Sequence, residues 1–195
     1  RVLFRSDNSA PQIPLADRPE IDRWVLSELN SLIIRVEAAY ETYEPTKAAR
    51  AISDFVQENL SNWYVRLCRR RFWKGEYGPD KIAAYQTLYE CLLVVSKLSA
   101  PIAPFFMDRL YLDLAGVCDP NVKESVHLAQ FPEANSAVID SDLERKMQLA
   151  QQTCSLVLSI RQKEKIKVRQ PLQKIMVPVS ALVKAIDLKA VASLI

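Results

Sequence analysis

The feature that most constrains this chain is the repeated helical spacing of its apolar residues, with a proline in front of most repeats. Apolar residues recur every three to four positions after Pro19, Pro45, Pro79 and Pro104, and again after Asp140. That spacing places them on one face of a helix, and proline is well tolerated in a helix's first turn. The chain also has only three glycines in 195 residues, too few for a fold rich in tight β-turns. The sequence therefore predicts a mainly α fold.

Three parts follow from the same patterns. Residues 1–18 are predicted to be an irregular linker from an upstream domain, and residues 19–168 to be a bundle of helices. Asp140 or Ser141 is expected to cap the last long helix, and Gly116 to end the short one that begins at Pro104. After Pro171 a short apolar run at 174–178 is typical of a strand, and a further helix is expected from residue 187. Residues 169–195 are thus predicted to begin a small C-terminal α/β unit.

The second helix is predicted to run from Pro45 to about Trp73. At about 100° per residue, its core face holds Ala48, Ile52, Phe55, Val56, Asn59 and Trp63. The same spacing places Arg66 and Arg70 on that face, and Trp73 beside Phe55. Because burying unpaired guanidinium groups is very costly, we expect this end of the helix to project beyond the bundle or to hold an anion.

Positive charge is concentrated in two segments. Residues 62–74 and residues 161–174 each carry a net charge of +5, whereas the whole chain carries +3, so the remainder carries −7. An acidic body with two basic segments favours a localised surface for a polyanion. The alternative is that both segments are solvated helix ends.

These two segments supply the candidate nucleic-acid-binding residues. Guanidinium groups form paired hydrogen bonds with phosphate, and tryptophan offers a face on which unpaired bases stack. Arg161 and Lys165 are assigned to RNA and Arg169 to a structural contact; alternatively, Lys163 and Lys165 only neutralise a helix C-terminus. Arg66 and Arg70 could instead pair with acids on neighbouring helices. The full candidate set is Arg66, Arg69, Arg70, Trp73, Lys74, Arg161 and Lys165.

Catalytic and metal chemistry are not expected in this chain. His127 is its only histidine and is expected to be a packed or hydrogen-bonded residue, so no Ser/His/Asp or Cys/His catalytic site is expected. The four cysteines form no CxxC pair, so no metal site is expected. No apolar run reaches the roughly 18 residues of a membrane span, and no membrane association is expected.

Four strings of residues resemble one protein family, in the family's order. The string Asn62-Trp-Tyr-Val-Arg-Leu-Cys-Arg-Arg-Arg-Phe-Trp73 closely resembles the anticodon-binding domain of class I aminoacyl-tRNA synthetases for aliphatic amino acids. Its ending, Arg-Arg-Arg-Phe-Trp, looks like the isoleucyl-tRNA synthetase family in particular. The other strings are Asp-Arg-Trp-Val-Leu-Ser at 22–27, Ser-Ala-Pro-Ile-Ala-Pro-Phe at 99–105 and Ile-Lys-Val-Arg-Gln-Pro-Leu at 166–172.

The resemblance implies a helical bundle that docks on the anticodon stem-loop of tRNA(Ile). In that family the full enzyme attaches isoleucine to tRNA using ATP and hydrolyses mischarged valine in a separate domain. It implies no cofactor in this fragment, and ATP, with Mg²⁺ left open, in the catalytic domain. It further implies a monomeric, cytoplasmic parent enzyme.

Two alternatives stay open beside this family. One is a valyl- or leucyl-tRNA synthetase domain, against which the Lys-Val-Arg-Gln-Pro-Leu string argues. The other is a helical protein-interaction scaffold whose basic face grips an acidic partner.

Overall fold

The computed structural model describes residues 11–73, 76–118 and 124–174, and contains two compact units. The first unit ends at Ile139 and the second begins at Asp140. Our division at residues 18 and 168 stays a prediction. The expected strand at 174–178, apart from Lys174, and the expected helix from residue 187 lie outside the described residues.

Helices make up both units. The first unit contains, in chain order, α1 (Glu20–Glu41), α2 (Pro45–Asp54), a π-helical stretch (Phe55–Val65), α3 (Arg69–Trp73), α4 (Pro79–Ser99) and α5 (Pro104–Cys118). In the described part of this unit, three short 3-10 turns accompany them, at Leu15–Asp17, Val126–Leu128 and Ser136–Val138. The second unit contains α6 (Ser141–Lys163). No strand occurs in the described ranges, so the mainly α prediction is confirmed.

Most helix boundaries follow the local signals in the sequence. Proline is the first residue of α2, α4 and α5, and the carboxylate of Asp140 accepts a hydrogen bond from the Leu143 amide at 3.0 Å, which confirms it as a cap. The predicted stop at Gly116 is wrong, because α5 continues to Cys118. Gly116 does not adopt the left-handed conformation through which glycine ends helices.

The main core of the first unit forms around α1. Trp24, Val25, Leu29, Leu32 and Val36 are all fully buried. α1 packs against α2, the π-helical stretch and α4. Burial of each such side chain stabilises the folded protein by about 1.5–3 kcal/mol relative to leaving it exposed. The contacts of α1 therefore stabilise the packing of the helices around it.

A smaller core joins α5 to the turn that follows it. Tyr111, Ala115 and Val126 are buried together there. The carboxylate of Asp108 accepts hydrogen bonds from the Ser125 hydroxyl at 2.7 Å and from the Val126 amide at 2.8 Å. The turn at 124–128 is therefore packed onto α5.

The described part of the N-terminal segment is attached to α4. The side chain of Gln86 accepts from the Ile13 amide at 3.0 Å and donates to the Pro11 carbonyl at 3.1 Å. Arg18 donates to the Thr87 hydroxyl at 3.0 Å. Residues 11–18 thus run along the bundle.

Candidate nucleic-acid interface

Four of the predicted site residues form one exposed surface at the end of the second helical run. Arg66, Arg69 and Arg70 are exposed, and Trp73 is 79% exposed. Among the described residues, no carboxylate lies within ion-pair distance of these three arginines. We call Arg66, Arg69, Arg70 and Trp73 the cationic face. The alternative in which Arg66 and Arg70 pair with neighbouring acids is not what the structure contains.

The cationic face points outward because the buried stripe of this run takes a different course from the predicted one. The buried residues are Ala48, Ile52, Phe55, Leu60, Tyr64, Cys68 and Phe72. Five positions separate Phe55 from Leu60, where a regular α-helix would bury Asn59. The π-helical stretch causes this change, because its i→i+5 hydrogen bonds put about one extra residue into a turn.

Our prediction that the core face itself changes into arginine and tryptophan is therefore wrong. The core face continues as Tyr64, Cys68 and Phe72, and the last of these lies in α3. The Phe72 ring contacts the rings of Tyr64 and Tyr85, with centroids 6.4 and 5.4 Å apart. The helix end is thus packed against the bundle on one side, and on the other it exposes its arginines to solvent. Trp63 is half-buried between the two sides.

The third arginine of the Arg-Arg-Arg string, Arg71, points the opposite way. Its two terminal nitrogens donate to the two carboxylate oxygens of Asp22 at 2.6 and 2.8 Å. Its Nε and Nη2 lie 3.0 and 2.9 Å from the carboxylate oxygens of Asp80. Asp22 is fully buried in α1, whereas Asp80 is in the first turn of α4. We call Arg71, Asp22 and Asp80 the Arg71 clamp.

Tyr64, Cys68 and Arg71 each keep one protonation state near neutral pH, because they are desolvated or paired. Burial, and then the charge of Asp22, raise the pKa of Tyr64, whose hydroxyl donates to Asp22 at 3.0 Å. Burial alone would lower the pKa of Arg71, but its hydrogen bonds and charge interaction with Asp22 raise it above its ordinary value. Burial raises the pKa of the Cys68 thiol to about 11. Arg71 therefore keeps its charge, and Cys68 stays a thiol at neutral pH.

Sequence reasoning missed the Arg71 clamp. Arg71 directly precedes Phe72 and lies three residues after Cys68, both of which are buried. A stripe drawn through Cys68 and Phe72 would have identified Arg71 as the inward arginine. The choice of Asp22 as its partner, 49 positions away, depends on tertiary packing.

In the second unit, Arg161 holds the chain that follows α6. One terminal nitrogen of Arg161 donates to the carbonyls of Lys167, Val168 and Gln170 at 2.9, 3.3 and 3.0 Å. Arg169 is exposed, and the structural contact that we assigned to it stays a prediction. An RNA-binding role for Arg161 stays a prediction.

Lys165 lies just past the end of α6 in a left-handed conformation, with φ 55°. The Lys165 amide donates to the Gln162 carbonyl and the Ile166 amide to the Arg161 carbonyl, at 3.2 and 2.8 Å. This pair of bonds is a Schellman motif, in which glycine is the usual residue at the left-handed position. Lys165 is exposed there.

The remaining site residue, Lys74, lies outside the described residues. Within the described ranges, no group of three or more His, Cys, Asp or Glu side chains is arranged to hold a metal ion. Also within them, no helix is long and apolar enough to cross a membrane. The chemistry that the cationic face offers is ionic and stacking: three guanidinium groups and an indole open to a polyanion.

The sequence of this chain matches a known protein family over most of its length. Residues 22–176 match the family described as the anticodon-binding domain of tRNA ligase. The chain is 58% identical to the isoleucine–tRNA ligase of Bacteroides fragilis over 183 residues, which is 94% of this chain and 16% of that protein. It is 62% identical to the enzyme of the same name from Cytophaga hutchinsonii over 86% of this chain and 15% of that protein.

A less similar relative carries the same name. The isoleucine–tRNA ligase of Thermus thermophilus is 46% identical over 90% of this chain and 17% of its own length. The chain thus spans about a sixth of the length of these relatives. The family match and the identities confirm the resemblance that the sequence strings indicated. This chain belongs to the family of tRNA ligase anticodon-binding domains.

Proposed function

We propose that this chain is the part of an isoleucine–tRNA ligase that binds the anticodon stem-loop of tRNA(Ile), and that the cationic face contacts the RNA. The observation that carries the proposal is the exposure of Arg66, Arg69 and Arg70 with no carboxylate at ion-pair distance within the described residues. Exposed guanidinium groups without protein partners are free to bind phosphate. Trp73 supplies an open stacking surface beside them.

The proposal extends to the rest of the candidate set. Lys74 directly follows Trp73 in the sequence and would bind a further phosphate. Arg161 and Lys165 would contribute from the second unit, Lys165 through an exposed ammonium at the end of α6. The names of the relatives support isoleucine as the amino acid.

The activities of the whole enzyme also belong to the proposal. Attachment of isoleucine with ATP, the use of Mg²⁺, and hydrolysis of mischarged valine would take place in parts of the parent outside this chain. The parent enzyme is proposed to be monomeric and to work in the cytoplasm.

A salt titration of RNA binding tests the proposal. The affinity of the chain for tRNA(Ile) is measured between about 50 and 200 mM salt, the range over which binding to phosphate weakens strongly. The Arg66→Ala/Arg70→Ala variant should bind more weakly. Its plot of log affinity against log salt should be shallower by about 0.7–0.9 for each phosphate that the variant no longer neutralises.

A double variant with the same change in charge is the control. Arg35 and Arg50 are exposed on α1 and α2, outside the cationic face, so Arg35→Ala/Arg50→Ala should change the slope much less. Equal effects of the two double variants would show that only net charge matters, which would contradict the proposed surface. Tighter binding of tRNA(Val) than of tRNA(Ile) would contradict the assignment to isoleucine.

A further inference from the structure

The Arg71 clamp joins three helices at one guanidinium group. Arg71 lies in α3, Asp22 in the first turn of α1, and Asp80 in the first turn of α4. Besides its bonds to both carboxylates, Arg71 donates to the backbone carbonyl of Asp80 at 2.9 Å and to the sulfur of Cys68 at 3.3 Å. All three nitrogens of the guanidinium group therefore have acceptors.

The chemistry of the clamp requires arginine. Asp22 is fully buried, and a buried carboxylate is tolerated only when it is paired and hydrogen-bonded. The planar guanidinium group of Arg71 donates to both Asp22 oxygens, and its Nε is still available to donate to Asp80. A lysine ammonium is a point charge on a flexible stem and cannot reproduce this planar arrangement.

The segment that the clamp holds is the last part of the second helical run. α3 has five residues and follows the helical residues Arg66 and Leu67, and the ends of helices fray unless they are attached to the rest of the fold. Its attachments to the bundle include the Phe72 ring, the Tyr85 hydroxyl, which donates to the Phe72 carbonyl at 3.1 Å, and the Arg71 clamp. The same five residues include Arg69, Arg70 and Trp73, which are three of the four members of the cationic face.

We propose that Asp22, Arg71 and Asp80 are positioning residues that fix α3 so that the cationic face is ordered before RNA arrives. This inference rests on the proposed function, and it assigns the third arginine of the string to support and the first two to RNA. A surface ordered in advance avoids the entropy cost of ordering its side chains on binding. The clamp thus contributes to RNA affinity without touching RNA.

The two arms of the clamp can be tested separately. The Asp80 side chain is 61% exposed, so Asp80→Asn leaves the Asp22–Arg71 pair intact and buries no unpaired charge. Removing an acid would ordinarily strengthen binding to a polyanion. The proposal requires the opposite result: Asp80→Asn should weaken tRNA binding by about threefold to tenfold.

Asp113→Asn is the matched control for this substitution. Asp113 is also an exposed acid paired with an arginine, Arg109, at 3.1 Å, but it lies in α5 away from the clamp. Asp113→Asn should leave tRNA affinity unchanged or slightly raised. Asp80→Glu keeps the carboxylate and should restore binding close to that of the unaltered chain.

Arg71→Lys tests whether the clamp needs the planar guanidinium group or only a positive charge. It keeps the positive charge, and it should weaken tRNA binding by about tenfold while circular dichroism still reports a folded helical protein. In the free protein, hydrogen exchange of the Phe72 amide, which donates to the Cys68 carbonyl at 3.2 Å, should become faster in Arg71→Lys and Asp80→Asn.

These measurements distinguish failure of the clamp proposal from failure of the proposed function. If Asp80→Asn binds tRNA as tightly as Asp113→Asn does, while Arg66→Ala/Arg70→Ala still weakens binding, the clamp is not a positioning device and the proposed function stands. If the unaltered chain shows no salt-dependent tRNA binding, both fail together. Weaker binding by Asp80→Asn and Arg71→Lys, with rescue by Asp80→Glu, supports the clamp.

Discussion

Three consecutive arginines in this chain have two different environments. Arg69 and Arg70 are exposed, whereas Arg71 forms ion pairs with Asp22 and Asp80. About 100° of rotation per residue is enough to turn neighbouring side chains of a helix to different sides. Residue type therefore does not decide which arginine is available to a ligand; its position relative to Cys68 and Phe72 does.

At the same scale, Trp73 and Trp63 should respond differently to substitution. Because Trp73 is 79% exposed, Trp73→Ala should change the free energy of unfolding by no more than about 0.5 kcal/mol. It should weaken RNA binding by about 1–3 kcal/mol if one base stacks on the indole, and it should leave the salt slope unchanged because stacking releases no counterions.

Equilibrium unfolding and anisotropy titrations at two salt concentrations measure both quantities. Trp63→Ala is the control, since the half-buried Trp63 should contribute mainly to stability. Loss of stability without loss of affinity in Trp73→Ala would show that the indole packs rather than binds.

At the scale of elements, the π-helical stretch determines which face of the second helical run is exposed. Between Phe55 and Leu60 it accommodates one residue more than an α turn. With one residue removed there, successive buried positions down to Phe72 would be three or four residues apart. The stretch is thus equivalent to a one-residue insertion in a helix.

Deletion of Gln57, which is exposed within this stretch, should therefore be tolerated. We expect a folded protein in which the run is α-helical throughout and Tyr64, Cys68 and Phe72 stay buried. Deletion of the exposed Arg35 from α1 should be far more damaging, because it turns Val36 and Ala39 away from the core.

Thermal unfolding of the two deletion variants compares them. A much larger decrease in melting temperature for the Gln57 deletion than for the Arg35 deletion would contradict this account of the π-helical stretch.

The packing of α5 against the turn at 124–128 should depend on pH. Hydrogen bonds from the Ser125 hydroxyl and the Val126 amide lower the pKa of Asp108 below its ordinary value. A carboxylate with a lowered folded-state pKa binds fewer protons in the folded protein than in the unfolded one. Its stabilising contribution is thus present above about pH 4, the unfolded value, and is lost as the pH falls through the lower folded value.

Urea unfolding of the unaltered chain and of Asp108→Asn, from about pH 6 to about pH 3, measures this contribution. The unaltered chain should be the more stable at the upper end, and the difference should shrink below about pH 4. Glu133→Gln, which alters an exposed carboxylate, is the control. A difference that stays constant over the whole range would contradict the assignment.

Local signals in the sequence predicted where the helices begin. Contacts between residues far apart in the sequence could not be predicted from it. Prolines at positions 45, 79 and 104 and the Asp140 cap gave the helix starts, because they act on backbone groups next to them. Arg66, Arg69, Arg70 and Trp73 were named as candidates from the sequence and their role stays a prediction, but the orientation of the run was not predicted. Nothing in the composition of residues 55–65 distinguishes a π-helix from an α-helix, and the Asp22–Arg71 pair depends on packing across 49 positions.

At the scale of the whole molecule, positive charge lies on both units while the rest of the chain is acidic. The cationic face belongs to the first unit, and Lys165 with its neighbours to the second. An acidic remainder disfavours binding of a polyanion elsewhere on the chain. The account therefore requires RNA to contact the basic segments and to leave most of α1 and α5 untouched.

Hydrogen exchange of the chain with and without RNA tests that requirement most directly. A saturating anticodon stem-loop of tRNA(Ile) should slow exchange at residues 66–73, whereas an acceptor-stem hairpin of equal length should not. Protection confined to other surfaces, with residues 66–73 exchanging at their free rate while the stem-loop is bound, would contradict the central claim that the cationic face holds the anticodon arm.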